Sequence, residues 1–378
     1  MKFIHLSDLH LGKRFNEFSM MEDQDYILRE ICKIIEYEQP QGVIIAGDIY
    51  DRTVPSAEAV QKFDDFLYWL ASRSLQVFII SGNHDSPERI AFGGRLMDLS
   101  GVHMSPVYKG AVEPIVMNDQ YGELAVYMLP FIKPATVRRF FPDDEIVTYT
   151  DAVGAAVSHM NIDPKRRSIL VTHQFVTGAE RSDSEDISVG GTDNVDVSVF
   201  EPFDYVALGH LHGPQSVERD TVRYCGTPLK YSFSEKDHIK SVTVVDFGEK
   251  GEVSVRTVPL KPKHDVRELR GTYYDLMLKD NYEDTATDDY LRIVLTDEED
   301  VPDAMRKLQT VYPNLMQLSF DNTRTQTAND IFGAEDIECK TEIDLFEELF
   351  KLQNGQPMSD EQRDFATLLF EQIKEEAK

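Results

Sequence analysis

Phe3-Ile4-His5-Leu6-Ser7-Asp8-Leu9-His10-Leu11-Gly12 decides how the rest of the chain is read. Phe3 to Leu6 is a short apolar run of strand character, and it breaks directly into Asp8 and His10. Residues two apart in an extended segment point to the same side, so a carboxylate and an imidazole would leave the strand end together. The pattern recurs four times. Val43-Ile44-Ile45-Ala46 runs into Gly47-Asp48-Ile49-Tyr50-Asp51, and Val77-Phe78-Ile79-Ile80 into Gly82-Asn83-His84-Asp85. Ser168 to Thr172 runs into His173-Gln174, and Tyr205 to Leu208 into Gly209-His210-Leu211-His212. Between the early runs lie segments of helical period. Tyr26 to Glu38 carries Ile27, Ile31, Ile34 and Ile35 and is ended by Pro40; a second segment carries Val60, Phe63, Leu67 and Leu70. Strands separated by helices predict an α/β sheet. In such a sheet the loops after the strand carboxyl ends open on one crevice.

Asp8, His10, Asp48, Asn83, His173, His210 and His212 therefore form one candidate set of metal ligands. The set mixes oxygen and nitrogen donors and has no thiolate. Imidazole suits Mn, Fe, Co, Ni or Zn, and carboxylate admits Mn and Mg. Seven donors suit two ions better than one, and the two oxygens of Asp48 could bridge them. Two ions about 3.5–4 Å apart can activate water and clamp a phosphate.

Composition narrows the classes. The 378 residues predict two or three domains. Apolar residues make up 41% and mean hydropathy is −0.36, which fits a soluble globular chain and excludes a fibrous or fully disordered one. No apolar stretch has the length of a membrane span, and the first residues lack a signal-peptide core. Cys32, Cys225 and Cys339 are isolated, which predicts a reducing cytoplasm with no disulfide framework and no cysteine zinc site. With 39 Lys and Arg against 67 Asp and Glu, the formal charge is −28. Such a surface repels polyanions at long range, so nucleic acid would have to be met by local basic patches, bound metal or a partner.

Beyond Gly101 the chain becomes strand-rich, with further runs at Ala125 to Leu129, Val222 to Tyr224 and Lys240 to Phe247, and the main body ends near Pro259 to Pro262. A smaller α+β unit follows: strands at Leu291 to Leu295 and Leu315 to Phe320, with a helix from Val301 to Val311 opened by Pro302. The polar run from Asp321 to Asp330 reads as a linker. The C-terminus reads as two amphipathic helices. The first carries Ile343, Phe346, Leu349 and Phe350 after Thr341, and the second carries Phe365, Leu368, Leu369 and Ile373 after a Ser359–Gln362 capping box. His5, inside the first run, reads as a core residue or a support behind the ligands. Lys261, Lys263, Arg267 and Arg270 are either a solvated linker or a track for a phosphate backbone.

The ordered set D-x-H, G-D-x-x-D, G-N-H-D, H, G-H-x-H resembles that of the calcineurin-like metallophosphoesterases over residues 1–260. Gly226-Thr227-Pro228-Leu229-Lys230-Tyr231-Ser232-Phe233 and the domain order extend the resemblance, through a nuclease branch of the family, to the whole chain. It implies a β-sandwich flanked by helices over 1–262, a small α+β capping domain over 263–322, a linker over 323–340 and a helical partner-docking segment over 341–378. One ion would be held by Asp8, His10, Asp48 and His212, the other by Asp48, Asn83, His173 and His210. Mn²⁺ is the ion the family usually prefers, with Mg²⁺ or another divalent ion as alternatives. His84 would be the acid facing the phosphate, with Asp51 at the position that orients it; Arg52 is a further candidate phosphate contact.

The resemblance further implies a DNA phosphodiesterase, 3′→5′ exonuclease on duplex ends and endonuclease on single strands and hairpins, in repair and recombination. It implies a homodimer, through the helical faces at Phe63 to Leu70 and Ile90 to Leu99, and a coiled-coil ATPase docked on the C-terminal helices. The chain has no G-x-x-x-x-G-K-[ST] run, so ATP is expected on that partner. The alternatives are a phosphatase or phosphodiesterase for small substrates, which the extra domain disfavours, and a non-catalytic scaffold, which the full ligand set disfavours.

Overall fold

A computed structural model describes residues 1–185 and 193–322, and within the C-terminal segment residues 343, 346, 347, 350, 358, 359, 362, 363, 365–367, 369 and 370. It separates into two compact units, Met1–Arg267 and Glu268–Lys378.

The strands of the first unit that matter here are β1 (Lys2–Leu6), β2 (Gly42–Ala46), β3 (Gln76–Ile80), β4 (Val102–Met104), β5 (Ile115–Asp119), β6 (Gly122–Leu129), β7 (Arg167–His173), β8 (Tyr205–Gly209), β9 (Gln215–Val217), β10 (Arg219–Tyr224), β11 (Ser241–Phe247) and β12 (Val253–Pro259). They form two six-stranded sheets, in the orders β12-β11-β1-β2-β3-β4 and β9-β10-β8-β7-β6-β5. The centre of each is parallel: β1 to β4 in one, β6-β7-β8-β10 in the other. Phe3, Ile44, Phe78 and Ile80 of the first sheet pack against Val126, Ile169, Val171 and Ala207 of the second. The other face of the second sheet is covered by the helix Tyr149–Ser158. The inner strands are thus buried on both faces, which is why they read as unbroken apolar runs rather than alternating ones. The fold is a helix-flanked β-sandwich, the architecture that the resemblance implies.

Local chemistry explains the details. Helix Met21–Glu38 begins five residues before its apolar period, and helix Ala57–Ala71 is capped by the Ser56 hydroxyl. In the second helix Phe63, Leu67 and Leu70 are buried within the chain, so the face read as a dimer contact is spent on the core. Val60 and Tyr68 on that helix, and Phe92, Leu96 and Leu99 farther along, are exposed apolar residues. The helix Tyr149–Ser158, in a region read only as strand-rich, carries a Thr148–Asp151 capping box.

The second unit holds a three-stranded sheet in which the strand Val266–Gly271, within this unit from Glu268 on, lies beside Tyr290–Leu295, itself parallel to Leu315–Phe320. Its core gathers Leu291, Ile293, Leu308, Tyr312 and Leu315. The helix expected from Val301 to Val311 spans only Ala304–Leu308. Asp303, at φ 53°, breaks the helical backbone ahead of it. Ser359 and Gln362 form the expected reciprocal cap, and Phe346 meets Phe370 edge-on. Thr341, Leu349, Leu368, Ile373 and the expected linker at 323–340 lie outside the described residues.

Candidate metal centre

All five polar loops arrive at one place because their strands run parallel and end at the same edge. The first two loops are joined by main-chain bonds, Asp8 N to Gly47 O and His10 N to Asp48 O, each 3.0 Å. His84 N donates to Asp48 Oδ1 at 2.9 Å, and His210 N donates to both Asp8 oxygens at 3.1 Å. Close approach demands glycine here. A Cβ on Gly82 would lie 2.1 Å from Asp48 Oδ1, and one on Gly209 would lie 1.9 Å from Ala46 O. The backbone is also unusual at the donors themselves: Asp8 (φ 52°), His10 (44°), Asp48 (49°) and His210 (110°) all have positive φ. Side-chain-bearing residues avoid that region, and such strain clusters at functional sites.

Asp48 Oδ2 is the hub. It lies 3.5 Å from His173 Nε2, 3.8 Å from His10 Nε2 and 3.9 Å from His84 Nε2. On one side His10 Nε2 faces His212 Nε2 at 3.2 Å. On the other, Asn83 Oδ1 is 2.9 Å from His173 Nε2 and 3.0 Å from His210 Nδ1. Asp8, with Ser7 Oγ donating to it at 2.5 Å, falls in one tight group with Asp48 and His173; His10, Asp48 and His84 form another. The seven expected ligands and His84 are therefore all brought together. The grouping of nearest atoms sets Asp8 with His173 and His84 with His10, and does not by itself draw the expected division between two ions.

The donors fit divalent cations. His173 Nδ1 is 2.9 Å from the Ala46 carbonyl, which only accepts, so Nδ1 carries a hydrogen. A neutral ring then aims the Nε2 lone pair at two oxygens, Asn83 Oδ1 and Asp48 Oδ2. Three lone-pair donors facing one another in a dry site call for a cation or an added proton. The electrostatics agree. Burial works against a charged His173, but the Asp48 carboxylate outweighs it and raises the imidazole to about 9. Burial, reinforced by the Asp48 charge, raises Asp8 to about 6. Burial, with the charge of His173, lowers His210 to about 3, and burial holds His10 well below its usual value.

His84 differs from the rest. Its side chain is 23% exposed, whereas those of His10, Asp48, His173 and His212 are 3% or less. Its Nδ1 donates to the main-chain oxygen of Asp51 at 3.2 Å. The Asp51 carboxylate instead pairs with Lys13 at 2.8 Å and lies 3.9 Å from His10 Nδ1. Asp51 thus meets His84 through its backbone, and its carboxylate serves Lys13 and the His10 side. Asp85 ties the loops together, accepting from Ile49 N, Tyr50 N and Gly82 N at 3.0–3.1 Å.

Other expectations sort cleanly. His5 is fully buried, its Nδ1 2.9 Å from Tyr205 Oη, and acts as core. Arg52 is 77% exposed beside Asp51. In the basic stretch Lys263 pairs with Glu22 and Arg270 with Asp321, and Arg270 belongs to a strand, so these charges are partly spent within the chain. Sequence reasoning misses the residues behind the expected ligands: Gln24, donating to His10 O at 2.7 Å, Tyr231, donating to Leu9 O at 2.9 Å, and Ser184, Glu185, Glu235 and Lys240. Of these, only Tyr231 lies in a stretch that carries the family resemblance.

Residues 1–214 match the family model "Calcineurin-like phosphoesterase", more than half of the chain, and the chain belongs to that family. Residues 262–354 match a second model, "Type 5 capsule protein repressor C-terminal domain". Within the family the chain groups with proteins named as the SbcD subunit of the nuclease SbcCD. It is 32% identical to the one from Staphylococcus epidermidis over 371 residues, 96% of each chain. It is likewise 32% identical to that of Staphylococcus saprophyticus over 353 residues, 92% of each. A solved dimetal phosphatase from Danio rerio aligns over 69% of this chain and 96% of its own at TM-score 0.43 and 11% identity, a likeness too low to bear on function.

Proposed function

We propose that this chain is a two-metal DNA phosphodiesterase, the nuclease component of an SbcCD-type complex. The observation that carries the reading is the Asp48 carboxylate standing among three imidazole nitrogens, one of them on the partly exposed His84. Asp8, His10, Asp48, Asn83, His173, His210 and His212 would hold the divalent ions, which when bound would supply activated water and neutralise phosphoryl oxygens. Manganese is the ion we assign. His84, anchored through Nδ1 on the Asp51 carbonyl, turns Nε2 toward Asp48 on a side chain that solvent partly reaches. Protonated there, it donates to the departing sugar oxygen.

The finer reading follows the family: 3′→5′ exonuclease and single-strand or hairpin endonuclease, in repair and recombination, in the cytoplasm. Among the described residues no helix is long and apolar enough to cross a membrane. Residues 263–322 are assigned to an accessory domain that helps orient DNA, and a homodimer would use the exposed Phe92, Leu96 and Leu99 rather than the buried face of helix Ala57–Ala71. The C-terminal segment is assigned to an SbcC-type ATPase. Support comes from an apolar cleft of about 370 Å³ there, lined by Phe346, Phe350, Met358, Phe365 and Leu369. The test is His84→Gln. Manganese content should stay at the wild-type level while hydrolysis of a single-stranded DNA substrate falls about 10²–10⁴-fold. Full activity in that variant would remove His84 from the chemistry.

A further inference from the structure

Behind His212 lies a layer of polar side chains bonded to one another. His212 is 2% exposed, with Nε2 turned toward His10 and Nδ1 turned away. Nδ1 is 2.6 Å from Ser184 Oγ, and Ser184 Oγ is 2.5 Å from Glu235 Oε1. Glu235 is fully buried and also receives Tyr231 N at 3.2 Å, Ser232 Oγ at 3.1 Å and Lys240 Nζ at 2.5 Å. Lys240, 4% exposed, directs its two other hydrogens to His212 O at 2.8 Å and Thr227 Oγ1 at 2.7 Å.

The hydrogens can be counted through this chain. Lys240 has three acceptors for its three hydrogens, so it is an ammonium. The carboxylate facing it takes donors on both oxygens, so Glu235 is ionised and only accepts. Ser184 then spends its single hydrogen on Glu235. The neighbouring Ser182 hydroxyl, 3.0 Å away, donates to Glu185 instead, at 3.1 Å. What Ser184 offers His212 is a lone pair, and Nδ1 must carry the hydrogen that meets it. The tautomer leaves the lone pair on Nε2, aimed into the metal centre. The same segment clamps the His212 main chain, because Glu185 Oε1 accepts its N–H at 2.6 Å. His10 has no such device: among the described residues its buried Nδ1 has no hydrogen-bond partner.

We propose that Ser184 and Glu235 are positioning residues that fix His212 in the Nδ1–H tautomer and so keep its Nε2 open to a divalent ion. The inference rests on the two-metal reading, but the tautomer exists without metal and can be measured without it. Carboxylate-oriented imidazole ligands are a general device, and loss of the orienting partner weakens metal binding about 10–100-fold.

The test uses the full-length chain with ¹⁵N-labelled histidine. In the metal-free wild type, NMR should show His212 protonated at Nδ1 and bare at Nε2. Ser184→Ala should shift the ring toward the Nε2–H form, and calorimetry should show Mn²⁺ affinity reduced about 10–100-fold with an unchanged melting temperature. Ser184→Thr, which restores the hydroxyl, should recover both. Glu235→Gln should act like Ser184→Ala. A metal-free wild type with hydrogen on Nε2, or a Ser184→Ala variant with wild-type tautomer or affinity, overturns the proposal. If the tautomer responds as expected but the wild type binds no Mn²⁺, the metal assignment fails and the claim about metal binding falls with it, while the hydrogen-bond relay stands.

Discussion

His5 should make the first unit acid-sensitive in a way that has nothing to do with metal. It sits within β1, fully buried, with its ring edge-on to Tyr205 at 5.9 Å. Burial, with the Arg223 charge adding to it, lowers its pKa from 6.5 to about 3. A histidine depressed in the folded state is neutral there while the unfolded chain takes up a proton below 6.5, so the unfolded state binds more protons and stability falls with falling pH. The loss begins near 6.5 and continues toward 3. Between about pH 7.5 and pH 5 the linkage amounts to about 2 kcal/mol, since each unit of pKa difference is worth about 1.4 kcal/mol. His5→Gln removes the titration and keeps a neutral hydrogen-bonding side chain. Urea unfolding of the chelator-treated protein, followed by fluorescence of Trp69 in the first unit, reads the difference. The wild type should lose about 2 kcal/mol more than the variant over that pH range. All other titrating groups are common to both proteins and cancel. Parallel losses would show that His5 is not buried neutral as described, and loss of Mn²⁺ from the variant would show that it supports the metal centre.

Gly82→Ala should strike the metal centre, because its Cβ would fall 2.1 Å from Asp48 Oδ1 and 2.5 Å from Asp48 N. Overpacking of this kind costs about 1–3 kcal/mol, and displaced Asp48 oxygens should lower manganese content measured by elemental analysis; a fully loaded variant would refute Asp48 as the hub. Deleting residues 341–378 should leave metal content and single-strand cleavage near wild type and abolish co-purification with an SbcC-type ATPase. A truncated chain that loses its metal or unfolds would mean that the segment belongs to the nuclease core.

Much of this protein was legible in one dimension. Double-sided burial of parallel strands demands continuous apolar residues, so β1, β2, β3, β7 and β8 announced themselves as runs, and the polar motif after each run marked the strand end. Parallel strands end at one edge, which is why Asp8, Asp48, Asn83, His173 and His210 could be grouped from positions up to two hundred residues apart. Ser359 and Gln362 were readable because a capping box is local. What depends on hydrogen-bond geometry was not. Nothing in the spacing distinguishes the Asp51 carboxylate from its carbonyl, and only the fold shows that the carbonyl meets His84 while the carboxylate meets Lys13. The left-handed backbone at Asp303 that cuts short the helix expected from Val301 depends on its surroundings rather than on side-chain period. The helical face of Phe63, Leu67 and Leu70 looks the same in sequence whether a partner or the chain's own sheet covers it. Ser184, Glu235 and Lys240 lie in no motif and up to 56 residues apart. They converge because separate loops pack behind His212, and the direction of its lone pair is decided there, by tertiary contacts between residues that local sequence leaves unconnected.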